Sequence, residues 1–210
     1  MWPGIVFDLD GTLVNTDPHW YTAKVGLLRG HGYDGAEIPE LPGGSLADTA
    51  QALADVLGCP DRAEIEAELA HRVLTAVTST GVRPLPGARE SLWAARAAGA
   101  RVAIASTSPA ALVDAVVTRA GLDVEVAVGV GPALSAKPAP DVYVEACRRL
   151  AVDRRGCLGV EDSTVGARAA RAAGLAVLTV GPRAQGRGDW HVASLASTAD
   201  LDRIIRTKDR

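Results

Sequence analysis

The chain has 210 residues, 48% of them hydrophobic and 22% charged, with a net charge of -3. That supplies apolar material for one large domain, or a core with a small insertion; the charge balance and an aromatic content of 4% leave no footprint for nucleic acid or a polybasic membrane patch. Cys59, Cys147 and Cys157 show no CxxC spacing and predict reduced thiols; without a signal-like leader or a membrane-length apolar run, a cytoplasmic protein is expected.

The first predicted element is an apolar strand, Ile5-Val6-Phe7, running into Asp8-Leu9-Asp10-Gly11-Thr12-Leu13-Val14. Strand alternation puts Asp8 and Asp10 on one side, and Gly11 permits a sharp turn after them. Two carboxylates converging at the end of a buried strand repel each other unless a cation or a proton is shared, which predicts a hard metal, magnesium. Thr16 or Asp17 then caps a helix with Pro18 in its first turn, and Trp20, Ala23, Leu27 and Leu28 recur at helical spacing. After the Pro- and Gly-rich loop 39–44, Ser45 and Asp48 form a capping box ahead of a helix bearing Ala50, Leu53, Ala54 and Leu57. Asp61 with Glu64 repeats the pattern before Ile65, Leu69, Val73, Leu74 and Val77. Residues 16–80 therefore read as an all-helical insertion.

Pro84-Leu85-Pro86-Gly87 marks the return to a different rhythm. A helix over 88–98, a strand over 101–106, a helix opened by Ser108-Pro109, a strand over 124–128 and a helix opened by Pro140-Asp141 follow one another. A strand over 157–160 ends in Glu161-Asp162, a helix runs over 163–173, and a strand spans 175–180. Residues 183–188 read as a mobile loop and 200–210 as a short, fraying surface helix. Alternation of this kind means parallel strands joined by crossover helices, with ligands bound outside the strands' carboxyl ends. Asp8 and Asp10, Ser106 and Thr107, and Glu161 and Asp162 all fall at such ends. Strand alternation lets only one of the last pair face a metal directly; Asp162 is the favoured ligand, with Glu161 binding directly or through water.

Four stretches together resemble the motifs of the haloacid dehalogenase-like (HAD) superfamily. They are Asp8-Leu9-Asp10-Gly11-Thr12, the strand ending in Ser106, Lys137-Pro138-Ala139-Pro140-Asp141-Val142-Tyr143, and Glu161-Asp162-Ser163 with the small-residue helix behind it. The resemblance covers residues 5–180 and is to the helical-cap, β-phosphoglucomutase-like subgroup. It implies an α/β fold: a Rossmann-like core of residues 1–15 and 81–210, parallel strand order 5-4-1-2-3, and a helical cap of residues 16–80. It also implies a phosphatase acting through an aspartyl-phosphate. Asp8 would be the nucleophile and Asp10 the general acid and base; Ser106 and Lys137 would hold phosphoryl oxygens. Magnesium would sit among Asp8, Asp10 (through its backbone carbonyl), Asp162 and Glu161.

The same resemblance puts Gly11, Thr12 and Thr107 beside the substrate, Thr107 standing where relatives often carry Asn. Gly44, Ser45, His19 and Trp20 would read the leaving group from the cap. Leu46 replaces the Arg that sugar-phosphate mutases present after this Ser, which favours a phosphatase over a β-phosphoglucomutase-like mutase. A catalytically silent phospho-ligand binder would have eroded Asp8, Asp10 or Asp162, and all three are intact. The expected partner is a small phosphorylated metabolite, with neither nucleic acid nor membrane, and the expected state is a monomer.

Overall fold

A computed structural model describes residues 1–33 and 45–207. Its centre is a six-stranded, fully parallel sheet in the order β3-β2-β1-β4-β5-β6. The strands are β1 (Gly4–Phe7), β2 (Arg101–Pro109), β3 (Val126–Val130), β4 (Leu158–Glu161), β5 (Ala176–Val180) and β6 (Trp190–Val192). The predicted order is present, with β6 added beyond β5. β1 lies between β2 and β4 and is buried along its whole length, as a central strand covered on both faces must be.

The helices are α1 (Asp17–Gly30), α2 (Leu46–Leu57), α3 (Arg62–Thr80), α4 (Ala88–Ala97), α5 (Ala110–Ala120), α6 (Asp141–Arg149), α7 (Thr164–Ala172) and α8 (Thr198–Thr207). One apolar cluster joins Phe7, Ile104 and Leu178 of the sheet to Leu92, Val113 and Ile204 on α4, α5 and α8. A second joins Val6, Ala105 and Val177 to Tyr143 on α6 and Ala170 on α7. The alanine-rich face of α7 lets it lie close: a Cβ at Gly159 on β4 would come 2.9 Å from that of Ala170.

Helices α1, α2 and α3 stand between β1 and α4 and pack on one another through Leu27, Leu53 and Leu69. Ser45 caps α2 with the predicted box, its side chain accepting from Asp48 N at 3.2 Å while its own N–H reaches Asp48 at 3.1 Å. Asp61 caps α3 by accepting from Ala63 and Glu64. α8 corrects the expectation of a fraying surface helix. Leu201, Ile204 and Ile205 are buried, and Trp2 Nε1 donates to the Ile204 carbonyl at 2.9 Å.

Candidate active site

β1 delivers Asp8 to the middle of the sheet's carboxyl edge, where its N–H continues the ladder to Val160 at 2.9 Å. The chain then turns sharply. Leu13 and Val14 both donate to the Leu9 carbonyl, Gly11 donates to Val14, and Gly11 takes φ +92, a value that L side chains resist. Asp8 and Asp10 emerge near each other but in different company.

Asp8 belongs to a buried ionic cluster. Lys137, its side chain 3% exposed, donates from Nζ to Asp8 Oδ1 at 2.5 Å and to Glu161 Oε1 at 2.6 Å. Tyr143 Oη donates to the same Glu161 oxygen at 2.6 Å, and Ser163 Oγ to the other at 3.1 Å. Burial pulls the Lys137 ammonium down, but Asp8 and Glu161 outweigh it and hold the group above its ordinary value. Burial, with Asp8 beside it, pushes Glu161 up, against the lowering effect of Lys137 and Tyr143. Burial and Glu161 likewise keep the Tyr143 phenol well above its ordinary value.

Asp10 sits against hydroxyls. Thr16 donates to its Oδ1, while Ser106 and Ser108 donate to Oδ2 at 3.0 and 3.1 Å. Burial first, and Asp8 second, raise its carboxyl; the three hydroxyls oppose the rise. A carboxyl held high in this way can deliver and recover a proton.

Asp162 follows β4 and completes the set. Ligand atoms of Asp8, Glu161 and Asp162 all lie within 4.8 Å of one another. Asp8 Oδ2 is buried with no hydrogen-bond partner, a costly state for a carboxylate oxygen unless something positive meets it. The donors are all carboxylate oxygens, so the residues fit a hard divalent cation. Arg183, in the turn after β5, donates to Asp162 Oδ2. Burial and Asp8 raise the Asp162 carboxyl, and Arg183 opposes them.

These groups open into a cavity of about 570 Å³ between the sheet edge and the helices of residues 16–80. Of the residues expected in the site, Asp8, Asp10, Ser106, Thr107, Lys137 and Asp162 line it from the sheet side, and Trp20 and Ser45 from the helices. Glu161 lies beneath, fully buried. Gly11 and Thr12 face a neighbouring cavity of about 380 Å³ that shares Asp162 and Arg183. His19 turns away: its Nε2 meets Thr80 Oγ1 at 3.1 Å and the Gly81 carbonyl at 2.9 Å, and it does not line the cavity. Gly44 lies outside the described residues.

Two local readings change. Ser108 was expected to cap the helix after β2, but its hydroxyl serves Asp10 and α5 starts beyond Pro109 without a side-chain cap. Thr16 likewise makes no capping bond to α1. The sequence alone places none of Thr16, Ser108, Tyr143 and Arg183 in the site. Tyr143 could have been found from its motif, one turn into the helix that Pro140 opens. The reach of Arg183 into the site has no local signature.

Residues 2–174 match the sequence model of the haloacid dehalogenase-like hydrolases. The chain is similar to Protein CbbY of Rhodobacter capsulatus, 32% identical over 93% of this chain and 94% of that one. It is also similar to hexitol phosphatase B of Escherichia coli K12, 31% identical over 86% and 84% of the two chains. Among solved structures, CbbY of Rhodobacter sphaeroides in complex with phosphate superposes with a TM-score of 0.79 at 24% identity, over 95% of this chain and 97% of that one. A mutant of that protein in complex with xylulose-(1,5)bisphosphate gives 0.77 over the same shares, again at 24% identity.

Proposed function

The chain belongs to the haloacid dehalogenase-like hydrolases, and from that premise we propose that it is a magnesium-dependent phosphatase of a small phosphorylated metabolite, working through an aspartyl-phosphate on Asp8. The observation that carries this reading is Asp8 itself, which lines the cavity with Oδ1 held by Lys137 and with Asp10 and Asp162 lining the same cavity. The lysine orients the carboxylate, whose two oxygens would be divided between phosphorus and the metal.

In the first step, a carboxylate oxygen of Asp8 forms a bond to phosphorus while the ester P–O bond breaks. The departing oxygen takes its electron pair and the proton held on Asp10. In the second, water attacks the same phosphorus and gives a proton to the Asp10 carboxylate. The bond to Asp8 breaks, releasing inorganic phosphate and restoring both carboxyls. Ser106 and Ser108 hold the Asp10 carboxyl in place, and Thr107 beside them lines the phosphoryl pocket. Lys137 keeps Asp8 and Glu161 from repelling each other and offers positive charge to the phosphoryl oxygens. Asp8 and Asp162 would hold magnesium, with the Asp10 backbone carbonyl. Glu161, whose two oxygens already accept from Lys137, Tyr143 and Ser163, would act beneath them. Bound magnesium would supply charge stabilisation for the equatorial phosphoryl oxygens.

The helices of residues 16–80 form the cap in this reading, with Trp20, Ser45 and Leu46 facing the leaving group. The relatives named for hexitol phosphatase activity and for a xylulose bisphosphate complex place polyol and sugar phosphates first among the compounds to try. The test is phosphate release from a panel of sugar, polyol and short-acid phosphates, with magnesium, with EDTA, and with Asp8→Asn. Metal-dependent release that falls by about 10³ or more in Asp8→Asn supports the reading. Isomerisation of a sugar phosphate without net release would replace it with a mutase, and phosphate binding without turnover would replace it with a binder.

A further inference from the structure

Arg183 stands apart from the ionic groups the proposed chemistry uses. It lies in the turn after β5, and that turn is anchored: Gly181 donates to the Val192 carbonyl at 3.0 Å, Thr164 Oγ1 donates to the Arg183 carbonyl at 3.3 Å, and Ala184 is fully buried. From this fixed base the guanidinium reaches Asp162 Oδ2. A Cβ at Gly11 would collide with both the Asp162 carboxylate and the Arg183 guanidinium, so the first motif leaves the space in which the two meet. The pair is unequal. The Asp162 side chain is 8% exposed and that of Arg183 is 64% exposed, so the acid is fixed and the arginine is the member with room to leave. It borders both cavities at the sheet edge.

The charges show why something positive is held there. Asp8, Glu161 and Asp162 converge, and Lys137 bonds to Asp8 and Glu161 only. Without Arg183, Asp162 would sit beside Asp8 with only Lys137, which bonds to Asp8 and Glu161 and not to Asp162, to offset the repulsion. The carboxylate that Arg183 occupies is also one that the metal would need.

We propose that Arg183 is an internal counter-ion that occupies Asp162 in the metal-free protein and is displaced by the divalent cation, so that it sets the cation affinity of the site. This rests on the reading of Asp8 and Asp162 as metal ligands. Arg183 is thus a positioning residue: it keeps the Asp162 carboxylate aimed into the site before the cation arrives and makes cation binding a competition. The bland alternative is an exposed ion pair that contributes to folding and nothing else.

The two are separated by titrating magnesium, and manganese as a second probe, into the whole chain by calorimetry, comparing the natural sequence with Arg183→Gln and Arg183→Lys. Competition predicts that Arg183→Gln binds the cation about threefold to tenfold more tightly, with Arg183→Lys between the two. It also predicts that Arg183→Gln has a lower Tm than the natural chain in EDTA and the same Tm in saturating magnesium, whereas a purely structural pair would lower both. Equal or weaker affinity in Arg183→Gln overturns the proposal while leaving the metal reading intact. Absence of any cation binding that Asp162→Asn can abolish, in all three proteins, removes the metal reading and this proposal with it.

Discussion

The hydroxyl of Thr16 donates to the carboxylate of Asp10, so the residue that precedes the first inserted helix is bonded to the carboxyl proposed to move the proton. Burial holds Asp10 above the ordinary carboxyl range, and this bond works against the rise by favouring the charged form. Thr16→Val deletes the donor and keeps the shape. The bond favours the charged form, so its loss should let the Asp10 carboxyl rise further. Asp10 must be protonated for the first step. The alkaline limb of kcat/KM should therefore move to higher pH, and a limb that stays in place would separate Thr16 from the proton transfer.

Lys137 is the only cation bonded to Asp8 and Glu161 among the described residues. Its folded pKa is raised, so its stabilisation is fully present below the unfolded value and is lost only as pH rises through the higher folded one, above the working range. Lys137→Met leaves two buried carboxylates facing each other. The expected loss is about 3–5 kcal/mol of stability, together with activity. The variant should lose further stability as pH rises, and within the working range. Burial already pushes Glu161 up to about 7 with the lysine present, and without it the group is pushed further. A carboxyl raised by folding costs stability as pH rises from its unfolded value toward its folded one. The Tm of Lys137→Met should therefore be higher at about pH 6 than at about pH 8. A flat Tm between those values would mean that the pair does not carry the charge assigned to it.

The parts of this molecule legible in its sequence are those encoded by short-range pattern. Apolar runs of four or five residues gave the central strands, and Ser45 with Asp48 gave a helix start down to its reciprocal bonds. β6 was missed because three residues, Trp190–Val192, form no run and pair only along one side of β5. The site was legible as far as each motif placed a residue at a strand end. What those residues do to one another was not. Thr16 and Ser108 read as helix caps because their backbone neighbours were the nearest partners, but the fold brings Asp10 within reach of both. Ser106 read as a phosphate donor and also spends its hydroxyl on Asp10. Arg183 lies 21 positions from the carboxylate it meets, and no local rule connects them.

Gly166 makes the sharpest case, because local rules and the fold predict opposite outcomes for one substitution. It lies in the first turn of α7, its N–H capped by Ser163 Oγ at 3.0 Å, and glycine inside a helix costs about 1 kcal/mol relative to alanine. On propensity alone Gly166→Ala should stabilise. In the folded protein, however, a Cβ at this position would overlap the Glu161 carboxylate, which is fully buried and cannot withdraw into solvent. Moving that carboxylate strains its bonds from Lys137, Tyr143 and Ser163 together and returns Lys137 to Asp8 alone. Overpacking and the broken ion pair outweigh the helix term, for a net loss of about 3 kcal/mol and a Tm lowered by about 6–12 °C. Steric overlap with Glu161 has a further signature. Glu161→Asp withdraws the carboxylate by one methylene, so it should destabilise the natural chain yet restore part of the stability lost in Gly166→Ala. Additive losses in the double variant would show that Gly166 is kept for its backbone; a favourable coupling of about 1 kcal/mol or more would show that it is kept empty for the carboxylate.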